Sequence, residues 1–279
     1  MNIRLVALDL DGTLLDPYGK LTPAVRDAVA RAARHRELRI VVCTGRRFRT
    51  ALPHAQALGL DGAIVVNNGA LVKDLASGET VQHAYLPAEV FDDVVDHVRS
   101  HGSPLVYVDT YHDGVDILTE RADSAHPFQR EYVGDQGPVV TIADDVKKTR
   151  RERVIMVSTM ADADSLDALR RRALERFGDR IQTHSLLNKN YQGQILEFLS
   201  PSAGKWHALQ QLAASWGIAP SEIAAVGDDT NDAELIARAG LGIAMGNALP
   251  EVRAAARTVV RSNAEGGVVE ALDQILAAL

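Results

Sequence analysis

An apolar run from Ile3 to Leu8 stops at Asp9, Leu10, Asp11 and Gly12. The run reads as a buried strand and the glycine as the turn that ends it. Carboxylates avoid strand interiors and repel one another, so a pair at a strand end is tolerable chiefly where a cation or a reacting phosphate shares the charge. The expectation is a magnesium-dependent phosphoryl-transfer site. Asp9 is the nucleophile in this reading. Asp11, on the same side of an extended chain unless the Gly12 turn rotates it, protonates the leaving oxygen and later activates water.

The pattern that follows is alternating. Thr22 is placed to cap, and Pro23 to open, a helix reaching about Arg36; Leu38 to Cys43 reads as a strand, Arg47 to Leu58 as a helix, and Ala63 to Val66 as a strand. The chain's end repeats this, with strands at Ile223 to Val226, Leu241 to Ala244 and Thr258 to Val260, and helices near Asp232 to Ala239, after Pro250 and at the terminus. Such alternation predicts an α/β fold in which both portions share one parallel sheet. Ligands in these sheets bind beyond the carboxyl ends of the strands, so the loops starting at Asp9, Thr44 and Gly227 are expected on one rim.

Between them the pattern changes. Helices at Pro87 to His101 and Ala163 to Phe177, strands at Pro104 to Val108, Val115 to Leu118 and Val154 to Ser158, and a surface connection from Gly134 to Thr149 make an α+β module of residues 83–187. It interrupts a discontinuous core of residues 1–82 and 188–279. A chain of 279 residues, 46% of them hydrophobic, suits two cores, since single cores stop growing near roughly 250 residues. An insertion above the sheet's rim would close over a substrate and exclude water.

A net charge of −7 argues against nonspecific binding to nucleic acid or anionic membranes and points to small-molecule partners. Arg31, Arg34 and Arg36 read as a solvated helix face. No apolar stretch approaches the roughly 20 residues that span a bilayer. A lone cysteine, Cys43, and first residues without a leader pattern make the expected location cytoplasmic.

The remaining clusters suit the same chemistry. Thr44 offers a hydroxyl and Gly45 lets backbone amides approach an anion, while Arg46 adds charge or faces the insert. Lys205, taken alone an ordinary solvated lysine, opens a helix where a fixed ammonium would neutralise the nucleophile and the transferring group. Asp228, Asp229 and Asp232 would by themselves be an acidic helix N-terminus, but alongside Asp9 and Asp11 they offer the hard oxygens Mg²⁺ prefers.

Taken together, DLDGTL at Asp9 to Leu14, CTGR at Cys43 to Arg46, Lys205, and GDDTNDAEL at Gly227 to Leu235 resemble the haloacid dehalogenase superfamily, particularly its Cof-like phosphatases. The resemblance covers nearly the whole chain. It implies a Rossmann-like core and a large α+β cap between the second and third motifs, in which substrate specificity resides. It further implies Asp9 as phosphate-accepting nucleophile, Asp11 as general acid/base, Thr44 and Gly45 as phosphate contacts with Arg46 beside them, and Lys205 as electrostatic stabiliser. The implied Mg²⁺ site uses the Asp9 side chain, the Asp11 backbone carbonyl and Asp228, with Asp232 supporting and Asn231 touching substrate. The Asn67-Asn68-Gly69-Ala70 turn also looks like a family feature, although asparagines there equally form turns. Trp206 departs from the pattern, since many relatives carry glycine after the motif lysine; its indole would crowd the helix start or pack beneath the cap.

An acid at Asp11 points away from dehalogenases and phosphonatases. The expected activity is hydrolysis of small phosphorylated metabolites, with sugar phosphates as the expected class, through an aspartyl-phosphate; a phosphomutase is the alternative. Cys43 and Arg49 have the spacing of cysteine-dependent phosphatases, but that mechanism leaves Asp9, Asp11 and Asp228 without work. Paired acids also describe a receiver module or a phosphometabolite sensor, which lack turnover. Gly240 to Gly246 has the wrong spacing for a dinucleotide fingerprint, and the histidines lack zinc-ligand patterns.

Overall fold

The computed structural model describes residues 2–35, 37–121, 125–149, 152–188, 193–277 and 279, with the strand path alone at 187 and 188. Arg36, the expected end of the first helix and part of its solvated arginine face, lies outside the described residues. The chain divides into two compact units, 1–83 with 204–279 and 84–203.

The first unit opens with β1 (Leu5–Leu8), every residue of which is buried. Helix α1 (Pro23–Ala33) starts where Thr22 Oγ1 accepts the Val25 amide, and Val25, Ala28, Val29 and Ala32 form its buried face. β2 (Arg39–Val42), α2 (Phe48–Ala57) and β3 (Ala63–Val66) follow. β3 departs from the expected parallel sheet. It pairs antiparallel with β4 (Leu71–Asp74), which pairs with β5 (Thr80–His83), and this three-stranded sheet touches the parallel one through the Cys43–Val65 bridge. The cause is the Asn67–Gly69 turn, which reverses the chain before a crossover helix could form.

The second unit holds α3 (Ala88–Arg99), β6 (Leu105–Thr110), β7 (Val115–Thr119), α4 (Pro127–Gln136), β8 (Val140–Ile142), α5 (Val146–Thr149), β9 (Val154–Ala161), α6 (Ala163–Phe177), β10 (Gln182–Asn188) and β11 (Gly193–Leu199). Its six strands run in the order β10-β11-β9-β6-β7-β8. Phe91, Val94 and Val98 of α3 and Leu166, Leu169 and Phe177 of α6 pack with Val106, Val157, Leu196 and Phe198 of the sheet. The stretch from Gly134 to Thr149 is not a bare connection, since it carries the end of α4 and all of β8 and α5. The expected boundary at 187/188 falls inside this sheet, because β11 pairs with both β10 and β9. His97 is a satisfied core histidine, its Nε2 3.0 Å from the Leu169 carbonyl oxygen.

Returning to the first unit, the chain forms α7 (Lys205–Ser215), β12 (Ile223–Gly227), α8 (Ala233–Arg238), β13 (Leu241–Ala244), α9 (Pro250–Ala255), β14 (Thr258–Val259) and α10 (Gly267–Ala277). The parallel sheet runs β14-β13-β12-β1-β2, so the two ends of the sequence share it. Leu8 aligns with Val42 on one side and Val226 on the other, which brings the residues after β1, β2 and β12 to one edge. Among the described residues no helix is long and apolar enough to cross a membrane.

Candidate active site

Asp9 directly follows β1 and is held by its own amide, which donates to the Val226 carbonyl oxygen at 3.0 Å. Its side chain is buried, and Oδ1 accepts from Lys205 Nζ at 2.7 Å. The same ammonium donates to Asp232 Oδ1, also at 2.7 Å. Lys205 is therefore no solvated lysine; it is 2% exposed and lies between two carboxylates. Burial alone would depress the ammonium, but Asp232 and Asp9 outweigh it and hold the group well above the usual lysine range.

Asp228 sits at the end of β12. Thr13 donates to its Oδ1 at 3.1 Å and Asn247 to its Oδ2 at 3.2 Å. Gly12 is required where the two loops meet, because its φ is +84° and a Cβ there would lie 2.1 Å from Asp228 Oδ2. Asp232, fully buried, uses Oδ2 to accept the amides of Asp228 and Asp229 at 3.1 and 3.2 Å. With its other oxygen on Lys205, Asp232 braces the loop and the lysine together.

Carboxylate oxygens of Asp9, Asp228 and Asp232 come within 4.8 Å of one another. Burial, then the charge of Asp232, pushes Asp9 well above the ordinary carboxylate range and raises Asp228 to about 7. Three buried acids share one ammonium, so the cluster carries excess negative charge when ionised. Hard oxygen donors in that state are compatible with a divalent cation. Asp9 and Asp228 are the acids whose oxygens are not both committed to Lys205 and backbone amides.

Asp11 takes a different course. Gly12 turns the chain, leaving the Asp11 side chain 55% exposed, and Arg46 grips it through Nε to Oδ2 at 2.7 Å and NH2 to Oδ1 at 2.6 Å. Arg46, expected beside the phosphate, is thus engaged with Asp11, and its NH1 lies 3.0 Å from His54 Nε2. Thr44 follows β2 and is buried, with Oγ1 accepting the Arg46 amide at 3.1 Å. Gly45 lies against Asn68, whose amide oxygen would be 2.8 Å from a Cβ at that position. Asn231 donates from Nδ2 to that same Asn68 oxygen at 2.9 Å.

The predicted residues therefore form a buried Asp9–Lys205–Asp232 group with Asp228 beside it, an exposed Asp11–Arg46 pair, and a Gly45–Asn68–Asn231 contact. Trp206 has its indole in the first unit's core, with Leu5, Ala7 and Leu209. Cys43 is fully buried, and burial pushes its thiol far above the range in which a thiolate nucleophile works. Sequence reasoning missed Thr13 and Asn247, which orient Asp228. Thr13 was signalled by its place in the first motif; Asn247 follows the glycine-bearing segment dismissed as a nucleotide fingerprint.

Residues 6–272 match the family model for haloacid dehalogenase-like hydrolases. YxeH of Bacillus subtilis is 30% identical over 279 residues, covering 99% of each chain. The HMP-PP phosphatase of Serratia proteamaculans is 30% identical, covering 90% of this chain and 86% of its own. Among solved structures, a haloacid dehalogenase-like hydrolase from Bacteroides thetaiotaomicron superposes with a TM-score of 0.81 at 27% identity, covering 98% of this chain and 99% of that one.

Proposed function

The chain belongs to the haloacid dehalogenase-like hydrolase family, and from that footing we propose a magnesium-dependent phosphatase acting on small phosphorylated metabolites, sugar phosphates among them. The observation that carries this reading is the buried Asp9 carboxylate at a strand end, one oxygen on Lys205 and Asp228 close by.

The lysine holds one oxygen of Asp9, and the other is the atom that attacks phosphorus. Thr44 and Gly45 dock the phosphate, and the Asn231 amide contacts it. Lys205 offsets charge on the nucleophile as the phosphoryl group transfers. Asp11 gives a proton to the departing oxygen, leaving an aspartyl-phosphate on Asp9. The deprotonated Asp11 then takes a proton from a water that attacks phosphorus, releasing inorganic phosphate and restoring Asp9. Arg46 pairs with Asp11 in its ionised form, the form that takes the proton from water. Asp9, Asp228 and the Asp11 carbonyl would hold Mg²⁺, which when bound neutralises phosphate charge and aligns the group for in-line attack. Substrate selection is assigned to the second unit.

The test is rapid quench of the enzyme with Mg²⁺ and a radiolabelled phosphomonoester. An acid-stable, hydroxylamine-labile label that is absent from Asp9→Asn is expected, and turnover of wild type with no labelled protein at any time would overturn the aspartyl-phosphate. A screen of phosphorylated metabolites ranked by kcat/KM then identifies the substrate class.

A further inference from the structure

Asn67, Asn68 and Gly69 turn the chain with φ angles of +50°, +54° and +84°. Left-handed backbone is rare for residues other than glycine, although asparagine tolerates it better than most. A turn serving geometry alone would be made at least as well by glycine at 68. The Asn68 side chain is instead 1% exposed and lies between two separate site loops.

The turn touches three of the loops already described. The Asn67 amide donates to the Arg46 carbonyl oxygen at 2.9 Å and the Asn68 amide to that of Thr44 at 3.2 Å. Gly69 packs on the start of the Lys205 helix, where a Cβ would lie 2.1 Å from the Gly204 carbonyl oxygen. The Asn68 side-chain oxygen, seated against Gly45, accepts from Asn231 Nδ2 across 163 residues of sequence. Asn231 Oδ1 and Asn67 Nδ2 are buried without a hydrogen-bond partner among the described residues.

We propose that Asn68 is a positioning residue that holds the Asn231 amide with its nitrogen toward the Thr44–Gly45 loop, so that the second N–H of that nitrogen meets a phosphate oxygen. An amide anchored by one hydrogen bond cannot rotate its oxygen, an acceptor that would repel the anion, into the same place. This rests on the reading of Asn231 as a phosphate contact. Because the contact exists in ground state and transition state alike, its loss appears mainly in binding.

The test uses p-nitrophenyl phosphate with Mg²⁺ and inorganic phosphate as competitive inhibitor. Asn68→Gly keeps the turn's backbone and removes the amide. Its KM and phosphate inhibition constant are expected to rise about tenfold, the size of one anion-bound hydrogen bond, with kcat changed less and thermal stability unimpaired. If Asn68 acts through Asn231, Asn68→Gly added to Asn231→Ala produces little further loss. An Asn68→Gly enzyme with wild-type constants, beside an impaired Asn231→Ala enzyme, overturns the positioning role alone, as does a double variant whose losses multiply in full. A wild-type Asn231→Ala enzyme overturns the underlying phosphate contact as well.

Discussion

Lys205 Nζ stands 2.7 Å from Asp9 Oδ1 with both side chains removed from solvent. The second contact of that ammonium, to Asp232, makes a buried triad of one cation and two anions. Such a group contributes little net stability against an apolar replacement of the whole, but removing its cation strands both anions. Lys205→Met is therefore expected to destabilise the metal-free protein by about 3–5 kcal/mol in urea unfolding. Asp9→Asn keeps a hydrogen-bond acceptor for the lysine and relieves some charge repulsion. It is expected to abolish turnover while remaining at least as stable as wild type, a dissociation of activity from stability that unfolding and initial-rate measurements check together.

The Arg46–Asp11 pair is half exposed, so its two short bonds add little to stability, on the order of 0–1 kcal/mol. Its worth lies in geometry, since a guanidinium fork fixes the plane of a carboxylate and an ammonium does not. Arg46→Lys is expected to leave the melting temperature nearly unchanged and to lower kcat, by less than the roughly 10²–10⁴-fold that full loss of acid–base assistance costs. Asp11→Asn should be more severe and selective by step. With p-nitrophenyl phosphate, whose leaving group needs no proton, it should give a burst of about one nitrophenolate per enzyme followed by slow turnover, because the water that resolves the acyl-phosphate lacks its base. Stopped-flow absorbance reads this directly, and a steady linear trace at the wild-type rate contradicts it.

The burial of Asp228 converts to a pH dependence. Its carboxyl is raised to about 7 by burial first and Asp232 second, against about 3.9 in an unfolded chain. The folded state therefore binds more protons than the unfolded one between those values. The stabilising effect of that proton is complete below about pH 4 and is lost as pH rises through about 7. Chelator-treated protein is expected to lose stability through this group across that window. Mg²⁺ competes with the proton for the same oxygens, so it should raise the melting temperature more at pH 8 than at pH 6, as a calorimetric titration would record; equal shifts at both pH values would remove Asp228 from the cation's ligands.

Much of this site is legible in the sequence because strand ends carry their chemistry in consecutive letters. Asp9, Thr44 and Asp228 each follow an apolar run, and parallel alignment of Leu8 with Val42 and Val226 forces those ends together. Sequence patterns are weaker where polarity does not change. β10 and β11 carry polar residues on both sides of their described portions, and β3 looks like any core strand, so neither the module's boundary nor the switch to an antiparallel sheet is visible in local letters. The burial of Trp206 is equally hidden, since a residue beside a lysine gives no local sign of which face of α7 turns to the core. Side-chain partners over long separations, such as Arg46 on Asp11 and Asn68 on Asn231, depend on turns whose geometry composition does not specify.

Asn247 extends the same reasoning to a residue no motif singled out. Its Nδ2 donates both to the Gly12 carbonyl oxygen at 2.9 Å and to Asp228 Oδ2 at 3.2 Å, and its own Oδ1 accepts the Asn263 amide at 2.9 Å. The amide is thus fixed on one side by backbone and on the other orients a carboxylate. Partners behind a metal ligand typically change affinity by about 10- to 100-fold when removed. Asn247→Ala is expected to weaken Mg²⁺ activation by that factor, with the maximal rate at saturating Mg²⁺ largely retained, because the nucleophile and its lysine are untouched. Asn247→Asp keeps the size of the side chain but sets a like charge against Asp228, which favours the proton on that acid, so its half-activating Mg²⁺ concentration should vary more steeply with pH than that of the alanine variant. Activity measured across a Mg²⁺ series at several pH values separates the two effects, and an unchanged half-activating concentration in Asn247→Ala would mean that Thr13 alone suffices to orient Asp228.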